Sequence, residues 1–268
     1  MIRSAGSDVT SAGGSLFDPL VDAYDAARPS YPAALYDDVE RLARPLFGAT
    51  VVELGAGTGI ATRRLMARGA NVVAFDAGPA MLARLLARLP VPSNTAASGS
   101  VLAARADAHA LPVPDNSTDL VVAAQAWHWF DVPRAAAEAA RVLRPGGSLA
   151  LWWNDVLGAG VDWLQRQYDR IEAGNPAWQR TYRERDYGGE LGPGWAWQST
   201  ECRWERELPV ERYLTWLASK SYVAALADTP GGLDTFMANE RASLAEAFPD
   251  GVVIEPFRML LVLARPSG

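Results

Sequence analysis

Val51-Val52-Glu53-Leu54-Gly55-Ala56-Gly57-Thr58-Gly59 is the stretch whose reading decides the fold. Residues 50–54 are a short apolar, β-branched run and read as a strand. A glycine-rich turn follows, and 59–67 reads as a helix capped by Gly69. Glycine lets the backbone turn tightly and lets a ligand approach without a Cβ in the way. The start of the helix offers unpaired N–H groups. A dinucleotide fingerprint requires G-x-G-x-x-G. Here the third glycine comes one position early and Ile60 stands in its place, while the Walker spacing and its lysine are absent. A phosphate cradle is therefore disfavoured. The turn either binds a ligand or serves packing alone.

Outward from this stretch the same alternation repeats. Strands are expected at 71–75, ending at Asp76, at 101–105, ending near Asp107, at 119–124 and at 148–153. Helices are expected at 79–89 and 133–143, with a Pro, Ser, Asn and Ala-rich linker at 90–100 and the turn Arg144-Pro145-Gly146-Gly147. Four of the strands are almost wholly apolar, as in a parallel sheet covered on both faces. Alternating strands and helices imply a doubly wound α/β fold. Before the first strand, Arg28-Pro29-Ser30-Tyr31-Pro32 interrupts a helical pattern, because proline forces its predecessor into extended geometry; a helix at 32–44 follows.

After Asn154 the regularity fades. Helices are expected at 161–173, 210–227 and 233–248, an irregular stretch at 175–194, and a strand at 203–208. A long strand at 252–264 closes the sheet, with Pro256 pointing to an edge position or a bend. The organisation expected is a flexible tail at 1–15, a core with an N-terminal lid segment at 16–155, a helical cap and substrate-binding insertion at 156–250, and the closing strand of the core sheet at 251–268.

Composition bounds the function. With 268 residues, one large α/β domain or two small ones are allowed. Hydrophobic residues at 49% and charged residues at 21% fit a globular chain with a core. The net charge of −6 argues against nucleic-acid binding, which rests on Lys and Arg neutralising phosphates. Lys220 is the single lysine. Cys202 is the single cysteine, and His109 and His128 are the only histidines, so neither a disulfide nor a metal site is expected. No run of about 18 apolar residues suggests a membrane span. Residues 1–15 are Ser/Gly/Ala-rich without the apolar core of a signal peptide. A soluble, cytoplasmic protein is expected.

Two acidic positions add chemistry. Asp76 ends the second strand 21 residues after Gly55. An acidic residue about 20 positions beyond such a turn can accept from vicinal ribose hydroxyls, through charge-assisted bonds. It can equally cap the helix start at Gly78-Pro79. Asp107, followed by Ala108, is placed to accept from the exocyclic amine of a purine ring, or forms a turn.

These motifs in order, Glu53 to Gly59, Asp76, Asp107-Ala108 before Leu111-Pro112, and Leu143-Arg144-Pro145-Gly146-Gly147, resemble those of class I S-adenosylmethionine (SAM)-dependent methyltransferases. The agreement runs from about 47 to 153. Tyr24-Asp25-Ala26-Ala27-Arg28-Pro29-Ser30-Tyr31-Pro32 and Trp127-His128-Trp129-Phe130 are similar to a small-molecule branch that includes the trans-aconitate-type enzymes. The resemblance implies a seven-stranded Rossmann-like sheet, SAM as cofactor and S-adenosylhomocysteine (SAH) as product. It places Glu53, Gly55 and Gly57 around the methionine part, Asp76 at the ribose, Asp107 and Ala108 at the adenine, and Ala77 and Met81 among the other cofactor-binding residues. Gln125 would lie beside the ammonium and sulfonium. Tyr24, Arg28 and Tyr31 would close over the cofactor, with Arg28 near its carboxylate.

His128 follows the fourth strand, at the edge where ligands bind in open α/β sheets. It is either a general base, since imidazole titrates near neutral pH, or a pocket wall. Trp127, Trp129 and Trp153 are candidate substrate walls, since aromatic faces suit a sulfonium or a flat substrate, and ordinary packing is the competing reading. Ser221 and Tyr222, in a segment resembling one that approaches the active site in the same branch, are candidate substrate contacts. The expected function is methyl transfer to O, C or N of a small aromatic or enol-like acceptor, of the kind met in secondary metabolism. The alternatives are a SAM-binding protein with a cyclising or structural role, and a macromolecular methyltransferase.

Overall fold

The computed structural model describes residues 28–89, 99–176, 178, 186–228 and 232–267. The tail at 1–15, most of the lid segment and Tyr24 lie outside them.

Helix α1 (Ala33–Leu42) precedes strand β1 (Thr50–Leu54), α2 (Ile60–Ala67), β2 (Asn71–Asp76), α3 (Pro79–Ala87), β3 (Val101–Arg105) and β4 (Thr118–Ala124). A 3-10 turn (Trp127–Trp129), α4 (Val132–Val142), β5 (Leu143–Val156) and α5 (Asp162–Gly174) follow. The chain continues with β6 (Trp195–Pro209), α6 (Val210–Ala218), α7 (Ser221–Ala224), α8 (Gly232–Ala247) and β7 (Val252–Pro266). The seven strands form one sheet in the order β3-β2-β1-β4-β5-β7-β6. The first five pair in parallel, and β7 runs antiparallel to both β5 and β6. This is the α/β, Rossmann-like seven-stranded sheet that the motifs implied.

Each face of the sheet has its own core. Leu35, Tyr36 and Val39 of α1, Leu65 of α2 and Leu85 of α3 pack with Val51, Val72, Leu120, Val122, Trp152 and Met259 on one face. Ala135, Ala136 and Ala139 of α4 pack with Val52, Leu54, Val121, Leu149 and Leu151 on the other. Successive strand residues point to opposite faces, so the unbroken apolar runs feed both cores. At the amino ends of the strands, the Asp119 carboxylate takes Arg44, Arg144 (2.8 Å) and the Thr50 N–H (2.8 Å).

A third apolar cluster gathers α5, α6, α7 and α8 with Leu208 and Val253 from the sheet. Inside it, Tyr213 donates to Gln167 (2.7 Å), Gln167 donates to Glu240 (2.9 Å), and Glu240 also holds Arg170. The stretch 156–250 is thus not wholly helical. Its long β6 is an edge strand of the sheet, and among the described residues its helices α5 to α8 gather in the third cluster.

Candidate active site

The turn after β1 is built on left-handed glycines. Gly55, Gly57 and Gly59 have φ of 67°, 56° and 81°, a region that L side chains rarely adopt. A Cβ on Gly55 would lie 2.6 Å from the Ala126 Cβ, whereas one on Gly57 would meet nothing within 4 Å. Gly55 is therefore fixed by close approach to the segment after β4, and Gly57 faces open space. The Gly57 N–H donates to Asp76 Oδ2 and the Gly78 N–H to Asp76 Oδ1, both at 2.8 Å. Asp76 thus locks the turn after β1 to the start of α3.

A shallow cleft opens over this turn, lined by Arg28, Tyr31, Glu53, Gly55, Ala56, Gly57, Thr58, Ile60, Ala61 and Ala124. Glu53 is its buried charge-bearing group, 0% exposed. Its Oε2 accepts from Thr62 Oγ1 at 2.6 Å, and its Oε1 has no partner among the described residues. Burial pushes the carboxyl up to about 8; the Thr62 hydrogen bond opposes this and the Asp76 charge adds to it. A buried carboxyl with one unsatisfied oxygen beside a cradle that a Cβ would fill suits a cationic ligand head. Tyr31 meets the Trp152 ring edge-on at 5.8 Å, and Tyr36 does the same at 6.0 Å.

The structure brings Arg28, Tyr31, Glu53, Gly55 and Gly57 together in one cleft and ties Asp76 to it. Ala77 is exposed and Met81 buried, both beside Asp76. Asp107 stands 58% exposed by its side chain past the end of β3, with Ala108 next to it. Its Oδ1 accepts from the His109 N–H (2.9 Å) and contacts His109 Nδ1 (2.6 Å), while His109 Nε2 accepts from the Asp131 N–H (3.0 Å). Because Nε2 must accept, the ring proton sits on Nδ1 and faces Asp107. The His109 N–H bond is the largest contribution holding the Asp107 carboxyl below its ordinary range.

Other expected contacts are placed differently. Gln125 adopts φ 55°, and its Nε2 donates to the Asn154 carbonyl (2.9 Å), so its amide faces the end of β5. Trp127 is fully buried in the core under α4. A 3-10 turn separates successive side chains by about a third of a circle, so anchoring Trp127 turns its neighbours out. His128 is exposed, its ring centroid 5.0 Å from that of Trp129, and Trp129 is 52% exposed. Neither belongs to the cleft lining. Trp153 points to the same core as Trp127 and stacks on Tyr187 at 3.5 Å. Trp152, one residue earlier and on the opposite face, is the indole that supports the cleft. Ser221 is exposed, and Tyr222 stacks on Trp178 within the cap at 4.8 Å. His128→Ala is expected to leave turnover within about twofold, the scale of a surface change. Steady-state kinetics checks this; a hundredfold loss would return His128 to the chemistry.

Two contributing residues escaped the sequence reading. Thr62 lies nine residues beyond Glu53, at the spacing that returns the helix to the strand end. His109 was legible as Asp-x-His, an acceptor followed by a local donor.

Fold and cleft together define a Rossmann-like α/β protein with a ligand site across the carboxyl edge of β1 and β4. A family profile described as a methyltransferase domain matches residues 52–151. An uncharacterized methyltransferase of Mycobacterium tuberculosis is 38% identical over 207 residues, which are 77% of this chain and 76% of that protein. A structure described as a putative type II methyltransferase from Anaeromyxobacter dehalogenans superimposes with a TM-score of 0.67 at 24% identity, covering 89% of this chain and 97% of that one. A phosphoethanolamine N-methyltransferase of Haemonchus contortus, described in complex with SAH, has a TM-score of 0.55 at 15% identity over 99% of this chain and 62% of that one. The chain belongs to the class I SAM-dependent methyltransferases. SAM is its methyl donor, and the unsatisfied Glu53 oxygen and the open Gly57 cradle fit that group.

Among the described residues, no group of three or more His, Cys, Asp or Glu side chains is arranged to hold a metal ion. No described helix is long and apolar enough to cross a membrane.

Proposed function

We propose that this chain methylates oxygen, carbon or nitrogen of a small aromatic or enol-like metabolite. The observation that carries this reading is the cleft itself. Its acidic floor at Glu53 is flanked by the Tyr31–Trp152 edge contact, and the helical cap stands over the neighbouring strands. Aromatic walls favour a flat apolar acceptor. The −6 charge disfavours a nucleic-acid acceptor. SAM, when bound, supplies an electrophilic methyl group. The chain contributes positioning, worth about 7–11 kcal/mol for well-aligned reactants.

Glu53, Gly55 and Gly57 hold the methionine part of the cofactor, with Arg28 and Tyr31 closing over it. Asp76, flanked by Ala77 and Met81, accepts from the ribose hydroxyls, and Asp107 with the Ala108 amide reads the adenine, Asp107 being oriented by His109. The test is incubation with isotope-labelled SAM and a panel of aromatic, enol and carboxylate compounds, read by mass spectrometry. Label appearing only in RNA or protein would overturn the small-molecule reading.

Asp76→Ala is expected to weaken SAH binding by about 1–3 kcal/mol, the scale for leaving buried hydrogen-bonding groups unpaired, because the Gly57 and Gly78 N–H groups lose their acceptor along with the ribose. Titration calorimetry measures this; unchanged affinity would remove Asp76 from the site.

A further inference from the structure

An exposed carboxylate such as Asp107 turns freely about its side-chain bonds, and fixing it before a ligand arrives removes an ordering cost from binding. Asp107 is fixed from one side only. The His109 N–H (2.9 Å) and His109 Nδ1 (2.6 Å) both meet its Oδ1, and Oδ2 has no partner among the described residues. The backbone beneath is closed by the Ala110 N–H, which donates to the Asp107 carbonyl at 3.1 Å.

His109 is itself held. Its side chain is 4% exposed. Its ring meets Phe130 edge-on at 6.0 Å, and Phe130 meets Trp127 edge-on at 5.8 Å. Asp131 supplies the last constraint. Its carboxylate caps α4 by accepting from the Arg134 N–H (3.2 Å), while its own N–H donates to His109 Nε2 (3.0 Å). A backbone N–H only donates, so Nε2 stays an acceptor and the ring proton stays on Nδ1. The segment between β4 and α4 thereby decides how an aspartate after β3 presents its charge. The His109 bonds, the N–H bond foremost, hold the Asp107 carboxyl below its ordinary range, and the Arg134 charge acts in the same direction. An ionised carboxylate accepts and does not donate, so it matches a base that offers an amine.

We propose that His109 is the positioning residue that makes the cofactor site selective for adenine: its Nδ1–H pins Oδ1 of Asp107 and leaves Oδ2 to the exocyclic amine. The inference rests on the placement of adenine at Asp107 and adds the residue that sets the preference for the amine. The backbone N–H survives any substitution at 109, so variants test the side-chain bond alone. Without that bond Asp107 samples several rotamers, and the amine gains little over a bare C–H at the same ring position.

The experiment measures by titration calorimetry the affinity of each protein for SAH and for the SAH analogue in which purine, with hydrogen at C6, replaces adenine. The ratio of the two affinities is internal to one sample, so a loss of folded protein does not alter it. Wild type is expected to prefer SAH by about tenfold or more, the scale of a hydrogen bond to a charged group. His109→Gln places an amide oxygen where Nε2 stood, which keeps an acceptor for the Asp131 N–H but removes the donor to Asp107. Its preference for SAH should fall towards parity. His109→Asn does the reverse. Its amide nitrogen stands where Nδ1 stood, and the carboxylate selects that amide orientation, so the preference should stay close to the wild-type value. A Gln variant that keeps the preference overturns the proposal. So does equal loss in both variants, or loss of all SAH binding in both, because a merely structural histidine does not tell the two amides apart. A wild-type protein that binds SAH and the purine analogue equally overturns instead the placement of adenine at Asp107 on which the inference rests.

Discussion

Glu53→Gln is expected to abolish the proton release that accompanies SAM binding near neutral pH. Without ligand, Glu53 is wholly buried with its carboxyl raised to about 8, so it carries a proton at pH 7. A ligand bringing an ammonium and a sulfonium to the unsatisfied Oε1 favours the ionised form. Binding then expels up to about one proton, and affinity should climb by up to roughly tenfold per pH unit below 8. Calorimetry in buffers of different ionisation enthalpy counts that proton. The Gln variant should release none from this position and show a flat pH dependence; equal proton counts in the two proteins would sink the assignment. Stability moves the other way. A carboxyl raised from 4.5 to about 8 on folding contributes fully below 4.5 and loses that contribution as pH rises to about 8. The ligand-free protein should therefore be less stable at pH 8 than at pH 5, by at most about 4–5 kcal/mol for a shift of that size. The Gln variant should lack this slope in urea unfolding.

Gly55→Ala is expected to cost about 2–5 kcal/mol of stability. A left-handed alanine contributes about 1–2 kcal/mol, and overpacking about 1–3 kcal/mol, since the new methyl would lie 2.6 Å from Ala126 Cβ and 3.5 Å from the Phe130 ring. Ala126 leads into the turn that buries Trp127, so the displacement reaches the second core. Gly57→Ala is the informative contrast. With φ 56° and nothing within 4 Å of the added Cβ, it should lose about 1–2 kcal/mol of stability from backbone strain, yet lose SAH affinity, because its methyl enters the cleft. Thermal melts and SAH titrations on the pair separate the roles. Equal destabilisation in both would contradict the packing argument.

Strands β1, β2, β4 and β5 were legible because a parallel sheet buried on both faces writes continuous apolar runs into the chain, as in Val72 and Val73 or Leu120 to Ala124, whereas β3 is an apolar but only partly buried edge strand. What followed β5 was not legible. Strand β6 begins at Trp195, eight residues before the 203–208 stretch that was foreseen. An edge strand with most residues exposed needs no apolar run, so 195–202 carried no signal. The helix read as 210–227 breaks at Ser219, whose hydroxyl donates to the Trp216 carbonyl (2.7 Å); that local bond is invisible to periodicity. Pro256 pointed to an edge position or a bend, but β7 lies inside the sheet, between β5 and β6. The proline is tolerated because the ladder with β5 ends at Val156↔Phe257, and the chain beyond it only donates, from the Leu157 N–H to the Pro256 carbonyl (2.9 Å). Within the site, the glycine turn, Glu53 and Asp76 were readable because spacing along the chain determines them. The tryptophans were not, since choosing Trp152 over Trp153 requires the parity of β5 relative to its neighbours.

The interior position of β7 has a consequence for biogenesis. Strand β6 leaves the ribosome more than forty residues before the partner that must slide between it and β5, and until then it has no ladder to join. The nascent chain therefore carries an unpaired fifteen-residue strand through late synthesis, a stage at which exposed edges invite aggregation. Chaperone dependence during expression should concentrate in that interval and disappear once the last strand is threaded home.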